Sequence, residues 1–238
     1  MNAVRGSRML VHATRALAFA TACAALALVP LASCTKGTVF TRPAPVAAVL
    51  HAASPSELLR LVEHAWNTFD PDEYERTLTD DFRFAFAAGD TVAHAWQNTP
   101  WSAVDERVFF RHLTSGGDST LPVTAITLVT AQTPTFFPDP RAGHGDTRFR
   151  AMTRTPLTLD VTDVEGIQLN ITGYAVFYLV RGDSATLSAE RRAGLERPDS
   201  TCWFLERWED ETVPQSARFA APQPARSTTL GQLKTLYR

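Results

Sequence analysis

Four polar residues on predicted strands have side chains suited to acid–base catalysis: Asp160, Tyr174, Tyr178 and Arg83. A carboxylate can abstract a proton, while a phenol or a guanidinium can stabilise the charge that develops on a substrate oxygen. Asp160 and Arg83 fall on strand faces opposite to their apolar neighbours, so they belong to a pocket only if the polar face lines it. We therefore expect solvated sheet residues and tyrosines at a pocket rim, with a catalytic site as the alternative.

Two tryptophans could stack on a ligand. Trp96 and Trp101 lie close together on either side of Pro100. Large aromatic side chains serve equally well in a core or at the lid of a pocket. We favour the core or lid, and keep ligand binding as the alternative.

The histidine pattern predicts no metal centre. After the first 33 residues, no two histidines recur at the three- or four-residue spacing that puts two ligands on one helix face. Glycine-rich phosphate loops and Gly-x-Ser-x-Gly motifs are also missing, so no cofactor is predicted. These observations favour a protein that is not an enzyme.

The first 33 residues have the layout of a secretory signal. Three arginines within the first 15 residues precede an apolar run from Ala16 to Leu31. This run is shorter than the roughly 20 apolar residues of a membrane helix. It ends in Leu-Ala-Ser-Cys at residues 31–34, which resembles the bacterial lipobox, where the cysteine receives lipid before cleavage.

Cys34 is therefore the predicted lipidation site, with palmitate as a typical acyl chain. The alternatives are a secreted protein cleaved nearby or an uncleaved anchor. Cys23 would be removed with the signal, so Cys202 has no partner for an intramolecular disulfide. We predict a lipoprotein of the bacterial cell envelope that faces the periplasm or the surface, with the choice between inner and outer membrane left open.

The charge balance argues against a nucleic-acid partner. Without the three arginines of the signal, 20 basic residues face 25 acidic residues. Phosphate contacts require clustered lysines and arginines. The sequence has only two lysines, Lys36 and Lys234.

Composition and periodicity divide the chain into four segments. Residues 1–33 form the signal, and residues 34–53 form the lipidated cysteine with a flexible, proline-containing tether. Residues 54–210 form one folded domain, and residues 211–238 form a tail. Leucines within residues 230–238 could line a short docked helix, or this end could be frayed.

The periodicity within the domain predicts three helices with one inserted strand, followed by four strands. Ser54 and Ser102 each start a predicted helix, because each can cap the helix with an acidic residue three positions later. Gly173 interrupts the longest predicted strand and indicates a bend or a bulge. Helices followed by antiparallel strands predict an α+β fold, with the helices on one face of a curved sheet.

Two stretches carry a resemblance to a known family. Residues 57–86 resemble the opening helices and strand of the nuclear transport factor two-like superfamily, and residues 203–210 are similar to its last strand. This superfamily includes SnoaL-like and cystatin-like cones. The resemblance covers residues 54–208 and implies a curved antiparallel sheet wrapped on the N-terminal helices to form a cone with a pocket. Such cones include enzymes, binding proteins and accessory domains, so the resemblance specifies no chemistry.

Three functions remain open from the sequence. We favour a membrane-anchored lipoprotein whose cone binds a small apolar ligand or a protein partner without catalysing a reaction. The first alternative is a pocket enzyme of the isomerase, cyclase or dehydratase type. The second is a structural domain that forms a homodimer through an open sheet face.

Overall fold

The structure, a computed structural model, describes residues 51–91, 95–195, 198–213 and 226–238, without the side chains of residues 91, 95 and 96. The predicted signal, Cys34 and the tether up to residue 50 lie outside the described residues. None of the helices in the described ranges combines the length and apolar character needed to cross a bilayer. These ranges belong to one compact unit, Pro45–Arg238.

The helices of the described ranges are α1 (Pro55–Asn67), α2 (Pro71–Thr77), α3 (Ala88–Thr91), α4 (Ala103–Ser115), α5 (Ala189–Ala193) and α6 (Leu230–Leu236). Both predicted caps form. The Ser54 hydroxyl accepts from the Glu57 N–H, and Ser102 and Asp105 form a reciprocal capping box. Helix α4 ends at Gly116, whose φ of 85° is in the left-handed region that favours glycine.

The strands are β1 (Leu78–Ala85), β2 (Trp101–Ser102), β3 (Ala125–Thr130), β4 (Arg150–Thr162), β5 (Gln168–Arg181), β6 (Trp203–Val213) and β7 (Arg226–Ser227). They form one sheet in the order β2-β1-β6-β5-β4-β3, and β7 pairs with β5. Neighbouring strands are antiparallel except for β1 with β6 and β5 with β7. The predicted α+β fold with a curved, open sheet is therefore confirmed.

The sheet has a close approach of two strands at Gly173 and a bulge at Glu206. Gly173 has a φ of 150°, and a Cβ there would lie 2.6 Å from Cα of Thr212. The β4–β5 register continues unbroken past it, so Gly173 permits a close strand approach and makes no bulge. The bulge lies in β6, where Glu206 is the extra residue opposite Tyr178 and Leu179.

The core lies between the inner face of the sheet, which we define as the face covered by α1, α2 and α4, and these helices. Trp66 and Trp208 meet at its centre with 5.9 Å between ring centroids. The Trp66 ring also lies 4.9 Å from Phe110 and 5.7 Å from Tyr74. Of these aromatic residues, Trp66 and Tyr74 were expected on apolar helix faces, and the burial of all four makes one continuous core.

Helix α6 belongs to the same core. Leu230 and Leu233 have no exposed surface, and Tyr237 is 8% exposed. Of the two alternatives for residues 230–238, the structure has the docked helix. Strand β6 also continues three residues beyond residue 210, so residues 211–213 and 226–237 pack as part of the domain.

Candidate functional site

A buried ion pair joins α4 to α6 in the interior of the cone. Nζ of Lys234 donates to Oε2 of Glu106, and neither side chain has exposed surface. The Tyr74 hydroxyl donates to Oε1 of the same carboxylate at 2.9 Å. Each carboxylate oxygen of Glu106 therefore accepts one hydrogen bond, one from an ammonium group and one from a phenol.

Three aromatic rings surround the ammonium group of Lys234. Nζ lies 4.0 Å from the ring centroids of Phe84 and Phe109, and 5.4 Å from that of Trp101. Ring faces attract cations within about 6 Å, most strongly where water is excluded. The rings and the Glu106 carboxylate thus form an enclosure with the chemistry of an ammonium-binding site.

Burial shifts the pKa values of two groups in this network. It lowers the pKa of Lys234 because the ammonium has lost its water, while the neighbouring Glu106 and Asp210 carboxylates oppose that shift. Burial also raises the pKa of Tyr74 well above its ordinary value, and the adjacent Glu106 carboxylate raises it further. Tyr74 is therefore a neutral hydrogen-bond donor at physiological pH.

Asp210 is a second buried acid near Lys234. It is 4% exposed, and its Oδ1 accepts from the backbone N–H of Thr212 at 2.8 Å. Its Oδ2 has no hydrogen-bond partner among the described residues. Burial raises the pKa of Asp210 to about 7, and the nearby Asp90 carboxylate adds to this shift. The Asp210 carboxyl group therefore changes between its protonated and ionised forms near neutral pH.

Local hydrogen bonds fix the start of α6 against the sheet. Thr229 caps the helix by accepting from the N–H of Gln232, and its hydroxyl donates to Oδ1 of Asp90 at 2.7 Å. The N–H of Leu230 donates to the Thr212 hydroxyl at 3.1 Å. These bonds aim Lys234, one turn further on, at Glu106.

A separate cluster of charges lies on the outer face of the sheet, opposite to the helices α1, α2 and α4. Arg141 bridges Asp139 and Glu206, and Arg150 donates to Glu206 at 2.5 Å. One ligand atom each from Asp139, His144 and Glu206 falls within 4.8 Å of the others, which is a set of metal-ligand types. Two arginines already neutralise the two carboxylates, so a divalent cation would leave two uncompensated charges. We assign this cluster a structural role.

The cluster holds a loop, residues 131–149, over the outer face. Phe137 pairs through its backbone with Met152 of β4. The Arg141 guanidinium lies 4.4 Å from the ring centroid of Tyr178. This loop therefore covers part of the outer sheet face. An open sheet face was the surface expected for the alternative of a homodimer.

The structure does not bring the four predicted acid–base residues together. Asp160 is exposed and accepts from the Asn170 amide at 2.6 Å. Arg83 is exposed and donates to the neighbouring Phe82 carbonyl at 2.9 Å. Each fills the role of a solvated sheet residue.

The two tyrosines lie on the outer face. Tyr174 is 43% exposed, and the Arg154 guanidinium stacks 3.7 Å from its ring centroid. Tyr178 is buried beneath Arg141, and its hydroxyl donates to Glu209 at 3.2 Å. Neither hydroxyl reaches the interior network.

Of the two tryptophans considered for the core or for ligand stacking, the structure describes the side chain of one. Trp101 is 6% exposed and packs edge-on against Phe86, with 5.1 Å between ring centroids, beside the ammonium of Lys234. The side chain of Trp96 lies outside the described residues, although its backbone forms part of a short 3-10 helix, Ala95–Asn98.

The interior network was not predicted, although three features of the sequence mark it. Glu106 interrupts the apolar face of α4, four residues before Phe110. Asp210 follows the inward-facing Trp208 by two residues and therefore also faces inward. Lys234, one of two lysines, sits next to the buried leucines of α6.

A groove of about 390 Å³ opens beside the C-terminal end of α6. Three exposed aliphatic side chains line it: Leu121 at 65%, Val164 at 44% and Leu236 at 57%. The rest of the apolar lining comes from Ile167, Leu169 and Tyr237, and the charged groups are Asp163, Glu165 and Arg226. The groove thus combines an apolar floor with a polar rim.

The known proteins that are similar to this chain are solved structures. No protein-family model matches the chain, and neither does any curated protein. It is similar to the solved structure of a conserved protein from Planctomyces limnophilus, with 17% identity over 67% of this chain and 93% of the other, at a TM-score of 0.45.

Two further similar structures carry a description of their fold. One is a nuclear transport factor two-like protein of unknown function in nutrient uptake from Rhodospirillum rubrum, with 13% identity, 66% and 95% coverage and a TM-score of 0.40. The other is a protein of unknown function with a cystatin-like fold from Nostoc punctiforme, with 12% identity, 68% and 91% coverage and a TM-score of 0.40. These two structures bear the fold description that the sequence resemblance implies, and neither transfers an activity to this chain.

Proposed function

We propose that this protein is a lipid-anchored protein of the bacterial cell envelope. Its cone domain binds a small apolar ligand in the groove beside α6 and catalyses no reaction. The observation that carries this proposal is the concentration of Leu121, Val164 and Leu236 in one concavity. Exposed apolar side chains that are surrounded by polar residues are typical of binding surfaces. The groove volume of about 390 Å³ is within the size range of small-molecule sites.

In the described structure the interior network is closed to a substrate. A catalytic acid or base must reach its substrate, but Glu106 and Lys234 have no exposed surface. Their charged groups bond to each other, and Tyr74 completes the set. An enzyme would need these groups turned toward an accessible pocket.

The lipid anchor rests on the sequence around Cys34 and has a direct test. We expect Cys34→Ala to abolish incorporation of labelled palmitate and to release the mature domain from membranes. Cys202→Ala is the matched control, because Cys202 is buried in the domain and its loss leaves the lipobox intact. Unchanged palmitate labelling and fractionation of the Cys34 variant would refute the anchor.

The groove is tested with a neutral apolar fluorescent dye such as Nile red. We expect saturable binding that Leu121→Asn and Val164→Thr each weaken at least about tenfold, because each removes apolar surface from the site. Val104→Thr is the control, since Val104 is 57% exposed on α4 and does not line the groove. Equal dye affinity in all three variants would rule out this groove as the binding site.

A further inference from the structure

We propose that the aromatic rings and the carboxylate around Nζ of Lys234 are a binding site for a primary alkylammonium ligand. In the described structure, Lys234 occupies this site as an internal ligand. This inference concerns the interior of the cone and is independent of the proposed function, which places a ligand in the outer groove.

The geometry around Nζ matches the chemistry of ammonium recognition. Phe84 and Phe109 each place a ring centroid 4.0 Å from the nitrogen, and Trp101 adds a third ring at 5.4 Å. Sites that bind ammonium ligands use such aromatic enclosures, since ring faces attract a cation that has lost its water. Glu106 supplies the countercharge by accepting a hydrogen bond from the ammonium.

Glu106 also determines the class of ammonium that fits. Its Oε2 accepts an N–H, which a primary alkylammonium has and a quaternary ammonium lacks. Its Oε1 accepts from Tyr74, so the carboxylate is held in place from behind. A linear alkyl chain follows the path that the Lys234 side chain takes now.

A structural role alone accounts poorly for a charge at this position. Leu230 and Leu233 already bury apolar surface between α6 and the core. Replacing a buried ion pair by apolar residues of similar volume is often neutral or stabilising, so apolar side chains at both positions would dock α6 as well. A buried ammonium at such a position fits recognition of the charge itself.

Helix α6 is short, and its docking depends on tertiary contacts. It has seven residues, a length that is marginal without tertiary contacts. The preceding β7 pairs with β5 through only two residue pairs, Leu169 with Arg226 and Asn170 with Ser227. The aromatic residues and Glu106 lie on β1, β2 and α4, so the groups that surround Nζ come from elements other than α6.

The test is chemical rescue in the full chain. Lys234→Ala removes three methylene groups and the ammonium, which together correspond to n-propylammonium. We expect n-propylammonium to raise the Tm of this variant in a saturable way, by roughly 5–10 °C at a hundredfold excess over Kd. The neutral isostere n-propanol should give a much smaller shift, because it leaves the Glu106 charge uncompensated.

Two further proteins make the test specific. In Glu106→Gln/Lys234→Ala the preference for propylammonium over propanol should disappear. The variant Arg154→Ala, which breaks an exposed ion pair, should not respond to propylammonium. If Lys234→Ala does not fold alone, the ligands are added during refolding, and recovery of the native near-UV circular dichroism spectrum replaces the Tm as readout.

The outcomes separate cleanly. A saturable effect of propylammonium that requires Glu106 supports the ammonium site. No effect, an equal effect of propanol, or an effect that survives Glu106→Gln would overturn it. Each of these results leaves the dye-binding test of the outer groove unaffected.

Discussion

Substituting Lys234 by methionine tests the energetics of the buried network. Methionine keeps most of the length and apolar volume of the lysine stem but removes the positive charge. Glu106 then remains a fully buried carboxylate that has lost the ammonium paired with it, with the Tyr74 hydroxyl as its remaining donor. The native state therefore becomes less stable, while the unfolded state hardly changes.

The expected magnitude follows from the burial of both partners. Breaking a buried ion pair by removing one partner costs about 3–5 kcal/mol. For a domain of this size each kcal/mol corresponds to about 2–4 °C in Tm, so Lys234→Met should melt roughly 6–20 °C below the wild type. Glu106→Gln should destabilise similarly, since it leaves the ammonium of Lys234 buried without a countercharge.

The double variant Glu106→Gln/Lys234→Met provides the decisive comparison. It contains no buried charge at either position, and the amide oxygen introduced by Glu106→Gln still accepts from Tyr74. We expect it to be more stable than either single variant and within about 2 kcal/mol of the wild type. Additivity of the two single effects would contradict the network that we describe.

The assay is urea denaturation of the purified protein, followed by tryptophan fluorescence and far-UV circular dichroism. Arg154→Met is the matched control because the Arg154–Glu211 pair is exposed, at 50% and 41% for the two side chains. Its effect should stay below about 1 kcal/mol. A Lys234→Met variant no less stable than this control would refute the reasoning.

Two further predictions concern single positions. Asp210 has a pKa of about 7 in the folded protein against an ordinary value of 3.8, so the native state binds more protons than the unfolded state between these values. Stability should therefore fall as pH rises from about 4 to 7, and Asp210→Asn should remove this slope and stabilise the protein by up to about 4 kcal/mol at pH 8, measured by urea titrations at several pH values. A variant with the same pH slope as the wild type would contradict this assignment. Gly173→Ala should destabilise by about 2–5 kcal/mol, because a Cβ there would lie 2.6 Å from backbone Cα of Thr212 at a φ of 150°. Gly89→Ala, which meets nothing within 4 Å, is its control and should be neutral or slightly stabilising, and equal Tm values for both variants would argue against the close strand approach.

The sequence predicted the locally determined parts of the fold. The Ser54 and Ser102 caps form because each involves residues three positions apart. The end of α4 at Gly116 is local in the same way. The longest predicted strand, which contains Gly173, corresponds to β5, since its apolar alternation is visible in the sequence.

Pairings between distant segments escaped prediction. The last strand was expected over residues 203–210 but continues to Val213, because β5 supplies hydrogen-bond partners for its last residues. The bulge was sought at Gly173, whereas it lies at Glu206 on the neighbouring strand. Neither feature has a local signature, since both depend on which strands become neighbours.

The interior network was not predicted because it also depends on contacts between distant segments. Sequence reasoning looked for reactive groups on the polar faces of strands, where Asp160 and Arg83 are exposed. The buried acids lie instead among apolar residues, as with Glu106 and Asp210. A single charged residue within an apolar stripe was the available signal, and its partner, Lys234, lies 128 residues away from Glu106 along the chain.

The most direct test of the closed cone is the reactivity of the Lys234 amine. The intact protein is treated with an amine-reactive ester, and the modification of each lysine is followed by peptide mass spectrometry. Modification of Lys234 requires opening of α6, and each 1.4 kcal/mol of opening free energy slows it about tenfold. We predict that Lys234 reacts at least roughly 100-fold more slowly in the native protein than in the guanidinium-unfolded protein. Equal rates in the two states would contradict the burial of Lys234 against Glu106, and with it the account of the interior.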